Sequence, residues 1–103
     1  MNFKVEGNQE RLVVRIMGDV TSECEEELKQ ALLELSQRKP AALVVDLSQV
    51  PFIDSTGLGV LVGLRAQFER LGSSFILSEP QPRVSETLRL LRLDQVFCIA
   101  KAS

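Results

Sequence analysis

The chain has 103 residues, 45% of them hydrophobic and 25% charged, a size and balance that suit one soluble domain with a core needing no staples. Its formal net charge is −2 and it has no Trp or Tyr, so it has neither the basic footprint nor the stacking platforms of a nucleic-acid binder. No apolar run approaches the ~20 residues that cross a bilayer, and the opening MNFKVEGN lacks the long apolar core of a signal peptide. The reading is one domain over residues 1–103, cytoplasmic, with Cys24 and Cys98 as reduced core residues, since their spacing suits no metal.

Phe3 and Val5 alternate with polar residues, which predicts an edge strand over Asn2–Glu6. Gly7-Asn8-Gln9-Glu10 reads as a turn. Arg11 to Met17 alternates again, with Leu12, Val14 and Ile16 on one face. The two strands should form an antiparallel hairpin, ended by Gly18.

A helix follows Thr21-Ser22. Ser22 with Glu25 three positions on fits a capping box. Glu23, Glu25, Glu26 and Glu27 crowd the first turns, where the helix dipole favours negative charge and a solvated helix start explains them. Cys24, Leu28, Ala31, Leu32 and Leu35 form an apolar stripe at helical spacing. Pro40 stops the helix.

Ala42 to Asp46 is an unbroken apolar run ended by a charge, the pattern of a strand covered on both faces. After Pro51 and the apolar pair Phe52-Ile53 come Asp54, Ser55, Thr56 and Gly57. Leu58, Leu61, Val62, Leu64 and Phe68 then recur at helical spacing. The small polar residues sit where a helix start has unpaired N–H groups, and Asp54 or Ser55 is the expected N-cap. Gly59 and Gly63 share one helix face. Interior glycine costs a helix roughly 1 kcal/mol against alanine, so the pair predicts close approach by something. A neighbouring element of the same domain and a partner protein both satisfy that. Gly72 should end this helix as a left-handed cap at about Leu71.

Ser74 to Ser78 reads as a strand around Phe75-Ile76-Leu77. Pro82 suits a first helical position. A helix over about Arg83–Leu91 places Val84, Leu88 and Leu91 on one stripe and Arg83, Arg89 and Arg92 on its solvated side. Val96 to Ala100 is the last strand. The order is β-β-α-β-α-β-α-β. Strands separated by helices need parallel crossovers, so the fold class is α/β: a mixed, mainly parallel sheet with helices packed on it.

The residues allow little catalysis. Ser55 as a nucleophile needs a base. The chain has no histidine, and its lysines (Lys4, Lys29, Lys39 and Lys101) lie outside the motif. Asp54 is adjacent, but a carboxylate with an ordinary pKa near ~3.9 is a poor base for a hydroxyl proton. There is no G-x-S-x-G elbow, no Walker loop and no His/Cys metal cluster. The chain is therefore expected not to be an enzyme, with no cofactor and no metal.

The block Phe52-Ile53-Asp54-Ser55-Thr56-Gly57-Leu58-Gly59-Val60-Leu61-Val62-Gly63 closely resembles the signature of STAS domains, and within them the bacterial anti-sigma factor antagonists. Gly18-Asp19-Val20, Gly72-Ser73-Ser74 and the C-terminal amphipathic helix extend the likeness over roughly residues 5 to 100. The resemblance implies a STAS-like fold and a phosphorylatable binding module. The serine after the aspartate, Ser55, would be phosphorylated by an anti-sigma factor that has a histidine-kinase-like ATPase fold and acts as a serine kinase. A serine phosphatase would reset it. Unphosphorylated, the module would dock on that partner and free a sigma factor for transcription. Asp19, Thr21, Ser22, Asp54, Thr56, Gly57, Leu58 and Gly59 would line the docking surface. The alternative within the family is a STAS subunit of a membrane transporter or of a multi-component signalling scaffold. Two positions depart from the family pattern. Thr21 stands where an aspartate is common three residues after the turn glycine. Arg92-Leu93-Asp94 stands where a glycine often precedes the last strand, which should alter a local cap and not the fold.

Overall fold

The computed structural model describes residues 1–100. Five strands form one sheet in the order β1-β2-β3-β4-β5. β1 (Asn2–Gly7) and β2 (Arg11–Met17) are the antiparallel hairpin. β3 (Ala42–Gln49), β4 (Ser74–Ser78) and β5 (Cys98–Ala100) each run parallel to the preceding strand. The crossovers carry α1 (Glu25–Ser36), α2 (Ser55–Arg70) and α3 (Pro82–Leu90). The element order and mixed α/β sheet are those the alternating patterns predict.

The strands follow one another across the sheet in chain order, and parallel crossovers take one hand. Every helix therefore lands on the same side. Leu12, Val14 and Ile16 of β2, Leu43, Val45 and Leu47 of β3, and Phe75 and Leu77 of β4 meet Leu28 and Leu32 of α1, Leu61 and Phe68 of α2, and Val84 and Leu88 of α3 in one buried cluster. Phe68, Phe75 and Phe97 continue it as neighbouring rings, with centroids 5.6 and 6.3 Å apart.

The central strand is thus not covered by helices on both faces, as its apolar run suggested. Val44 and Asp46 point to the helix-free side, yet both are buried. Neighbouring strands shield them. Val44 stands in register between Val13 and Ile76, and Asp46 between Arg15 and Ser78. Arg15 Nε donates to Asp46 at 3.0 Å and the Ser48 N–H donates to the same carboxylate at 2.8 Å. Burial alone would push the Asp46 carboxyl up. Hydrogen bonding from Ser48 and the Arg15 guanidinium outweighs that and holds it below the ordinary carboxylate value.

Four local readings need correction. The first helix is capped one residue early. Thr21, extended at φ −136°, is the N-cap of a 3-10 turn over Ser22–Cys24, and α1 begins only at Glu25. Its box partner is Cys24, whose sulfur accepts from the Thr21 N–H at 3.3 Å. The pairing of Ser22 with Glu25 is absent because Thr21 is already fixed by the bridge between Val20 and Ile53 just before it. On α3, Val84 and Leu88 are buried but Leu91 is 53% exposed, because the helix ends at Leu90 and Arg92 turns the chain left-handed at φ +59°. That arginine takes a left-handed conformation of the kind glycine adopts most readily. The last strand starts at Cys98, not Val96, since a 3-10 turn occupies Leu93–Gln95. Of the two cysteines only Cys24 is a core residue; Cys98 is exposed on the edge strand, which no further strand covers among the described residues.

Gly72 ends α2 as the glycine pattern predicts. It sits at φ +88°, its N–H donates to the Glu69 carbonyl, and the Ser73 N–H reaches back to the Phe68 carbonyl at 2.9 Å. These are the two bonds of a Schellman cap.

Candidate functional site

The site lies beyond the C-terminal ends of β2 and β3, where two loops run side by side. The Gly18 N–H donates to the Gln49 carbonyl at 3.0 Å, Val20 N–H to Phe52 O at 2.9 Å, and Asp54 N–H to Val20 O at 3.1 Å. This ladder continues the sheet past its named strands and delivers both loops to the start of α2.

Asp54 is the N-cap, at φ −98° and ψ 178°. Its Oδ1 accepts from the Gly57 N–H at 2.8 Å and its Oδ2 accepts from the Ser22 N–H at 3.3 Å. One carboxylate therefore closes α2 and ties it to the loop ahead of α1. Gly57 completes the joint by having no side chain. A Cβ there would run into the Val20 carbonyl oxygen and sit 2.8 Å from Val20 Cγ1. Only glycine lets the first turn of α2 lie against Val20, which is itself fully buried.

Ser55 follows as the first residue of α2. Ser55 and Thr56 are exposed, as is Gly59 one turn on. Their neighbours across the joint are Asp19 and Ser22, also exposed, and the half-buried Thr21. Asp19, Thr21, Ser22 and Asp54 line a shallow depression of about 600 Å³ together with Glu23 and the half-buried Phe52. Asp19, Thr21, Ser22 and Asp54 are thus brought together, Thr56 and Gly59 lie exposed on α2 outside that lining, and two expected residues present no side chain. Gly57 is buried, and Leu58 is only 2% exposed with its side chain in the core cluster. Both hold the surface from beneath and do not present a side chain to it.

Thr21 replaces an aspartate without loss of the cap. Its Oγ1 accepts from the Glu23 N–H at 3.4 Å, and threonine and aspartate both serve at an N-cap. What changes is charge: the depression carries one carboxylate fewer at that position.

Sequence reasoning missed two supports. The Arg83 guanidinium lies 5.0 Å from the centre of the Phe52 ring, a cation–π contact worth about 0.5–1 kcal/mol at an exposed place. Gln81 Nε2 donates to the Ser48 carbonyl at 2.9 Å. The start of α3 thus braces the loop that leads into the motif. No local pattern announces contacts between residues some thirty positions apart.

Chemically, the arrangement offers an exposed hydroxyl at the positive end of a 16-residue helix. Both Asp54 oxygens accept backbone N–H groups, so this carboxylate holds the joint together. Among the described residues no three His, Cys, Asp or Glu side chains gather as a metal site, and no helix is long and apolar enough to cross a membrane.

The model of the STAS domain matches residues 2–102. The chain belongs to the STAS domain family. Its relatives include the anti-sigma F factor antagonist of Paenibacillus polymyxa, 28% identical over 96% of this chain and 85% of the relative. The anti-sigma-B factor antagonist of Bacillus subtilis (strain 168) is also 28% identical, over 100% of this chain and 94% of the relative. The fold is shared with the anti-sigma factor antagonist SpoIIAA in its unphosphorylated form, with a TM-score of 0.78 at 20% identity over 99% of this chain and 89% of that one. It is shared too with the phosphorylated form of SpoIIAA from Bacillus, with a TM-score of 0.74 at 19% identity over 99% and 92%.

Proposed function

We propose that this STAS domain is a phosphorylatable anti-sigma factor antagonist acting in the cytoplasm. Its unphosphorylated form binds an anti-sigma factor that is also a serine kinase of histidine-kinase-like ATPase fold, and so releases a sigma factor for transcription. The observation that carries this reading is the exposed Ser55 at the first position of α2, beside a capping aspartate whose two oxygens each accept a backbone N–H. The names of the curated relatives support the antagonist role. The kinase supplies ATP, Mg²⁺ and the base. The γ-phosphoryl group passes to Ser55 Oγ, the hydroxyl proton leaves to that base, and ADP departs. A separate serine phosphatase hydrolyses the ester and resets the switch.

Two free energies decide how the phosphate acts. It brings about −1.5 to −2 charges at pH 7, and an exposed helix N-terminus stabilises an anion by roughly 0.3–1 kcal/mol. The free domain therefore keeps its fold. A partner that covers Ser55 buries the same charge, at about 3–5 kcal/mol if it finds no counter-charge. The second effect is the larger and exists only in the complex, so the switch works by interface repulsion.

Incubation with candidate host kinases and ATP, with the site mapped by mass spectrometry, tests the assignment. Phosphate is expected on Ser55 and not Thr56, and Ser55→Ala should still bind the kinase. The phosphoprotein should keep its melting temperature while its affinity drops about a hundredfold or more. Undiminished phosphate incorporation into Ser55→Ala would sink the reading, and equal binding of both forms would sink the mechanism.

A further inference from the structure

β1 is the outer strand of the sheet, with no strand on its far side among the described residues. The hairpin fixes which of its backbone groups are free. Asn8 and Arg11 exchange both backbone hydrogen bonds, each 3.1 Å long. Hydrogen-bonded and non-hydrogen-bonded pairs alternate along an antiparallel ladder. With the register Gly7↔Leu12, Glu6↔Val13, Val5↔Val14, Lys4↔Arg15 and Phe3↔Ile16, the N–H and C=O groups of Glu6 and Lys4 face β2. Those of Phe3, Val5 and Gly7 face outward.

Exposed strand edges are commonly guarded by charged side chains, above all lysine. β1 carries no net charge. Lys4 and Glu6 lie on the helix-free face, both well exposed, and neutralise each other at 3.4 Å. On the other face Val5 is 41% exposed. β1 thus carries guarding side chains, but their charges cancel within the strand and the apolar Val5 stands open beside them.

We propose that β1 is a self-association surface, and that it pairs antiparallel with β1 of a second copy about a two-fold axis through Val5. In that register Val5 stands opposite Val5 of the second copy, and Phe3 opposite its Gly7, so every outward-facing residue meets another. Lys4 stands opposite Glu6 of the second copy, and Glu6 opposite its Lys4, on one face. These are non-hydrogen-bonded pairs, the closer kind, with Cα atoms about 4.5 Å apart. Slipping the strands by two residues either way sets Lys4 against Lys4 or Glu6 against Glu6. Like charges directly opposite are destabilising, so the charges select a single register. The two sheets then run on as one. Ser55 starts α2, which packs on β4, on the far side of β3 from the paired edge. The dimer presents two free copies of the phosphorylation site.

One strand edge buries less than the ~1,200 Å² of a standard interface, so the dimer is weak and reversible. Sedimentation should show a monomer–dimer equilibrium that shifts with concentration. Lys4→Glu sets glutamate against glutamate in both pairs and should weaken the dimer about tenfold. The double change Lys4→Glu with Glu6→Lys restores opposite pairs and should restore dimerisation. Val5→Cys in a Cys98→Ser background should form a disulfide between copies on mild oxidation, since facing Cα atoms about 5.5 Å apart lie within bridging range. A protein that stays monomeric up to about 1 mM, well above the range such weak contacts reach, would overturn the proposal. So would a dimer that Lys4→Glu leaves untouched, or one that the charge swap does not rescue.

Discussion

α2 carries three glycines, and they sit in two different worlds. Gly57 is buried against the Val20 backbone, where a methyl group has no room. Gly59 and Gly63 are exposed, and a Cβ on either would meet nothing within 4 Å. The first glycine is needed by the fold. The other two are not, and each makes the helix less stable than alanine would. The same residue type thus marks the joint that builds the site and the open, solvent-facing side of the helix.

The comparison breaks most visibly on the inner side of the helix. Leu61 is fully buried among the core residues of the sheet. Leu61→Ala should cost about 2–5 kcal/mol, the range for deleting a buried leucine side chain. A loss under about 1 kcal/mol in chemical denaturation would mean that the inward face of α2 is not the one described. Gly57→Ala is next. Backbone cannot yield as a flexible side chain does, so the first turn of α2 must lift from Val20, at about 1–3 kcal/mol. The displaced turn also carries Ser55. Amide exchange at Ser22 and Gly57, whose N–H groups both meet Asp54, should speed up in Gly57→Ala. Unchanged stability and unchanged exchange would show that the close approach to Val20 does not matter.

The contrast among the glycines also shows what was legible in the sequence. Periodicity revealed the opening hairpin and the three α-helices, because alternation and the helical repeat follow directly from which face is buried; apolar runs marked β3 and β4, and neither 3-10 turn was announced. The D-S-T-G block revealed the helix start, because capping is local chemistry. The reason for Gly57 was hidden. The two glycines four apart drew attention through helix propensity, while the sterically essential one depends on Val20, far away in the chain. The pair of Asp46 with Arg15 was hidden for the same reason, and so the charge ending an apolar run read as a strand terminus when the strand continues to Gln49. Leu91 failed differently. The helical repeat continued on paper past the point where Arg92 turns the chain.

The smallest effect is the most informative about function. Among the described residues nothing packs on Gly59 or Gly63, which removes a neighbouring element of the same chain as their explanation. If they exist for stability, alanine should harm the protein. Helix propensity says the opposite: Gly59→Ala and Gly63→Ala should each stabilise it by about 0.5–1 kcal/mol. Under the proposed function the partner kinase approaches this side of α2, and a pair of methyl groups would hold it off. The double variant should therefore melt at a higher temperature and bind the kinase more weakly, while phosphate still reaches Ser55 at high kinase concentration. Thermal unfolding and titration calorimetry separate the two effects. Higher stability with unchanged binding would confine the docking surface to the Asp19–Ser22 loop and the first turn of α2. Lower stability would mean that these glycines serve the fold after all, and the distinction between the two kinds of glycine would fall.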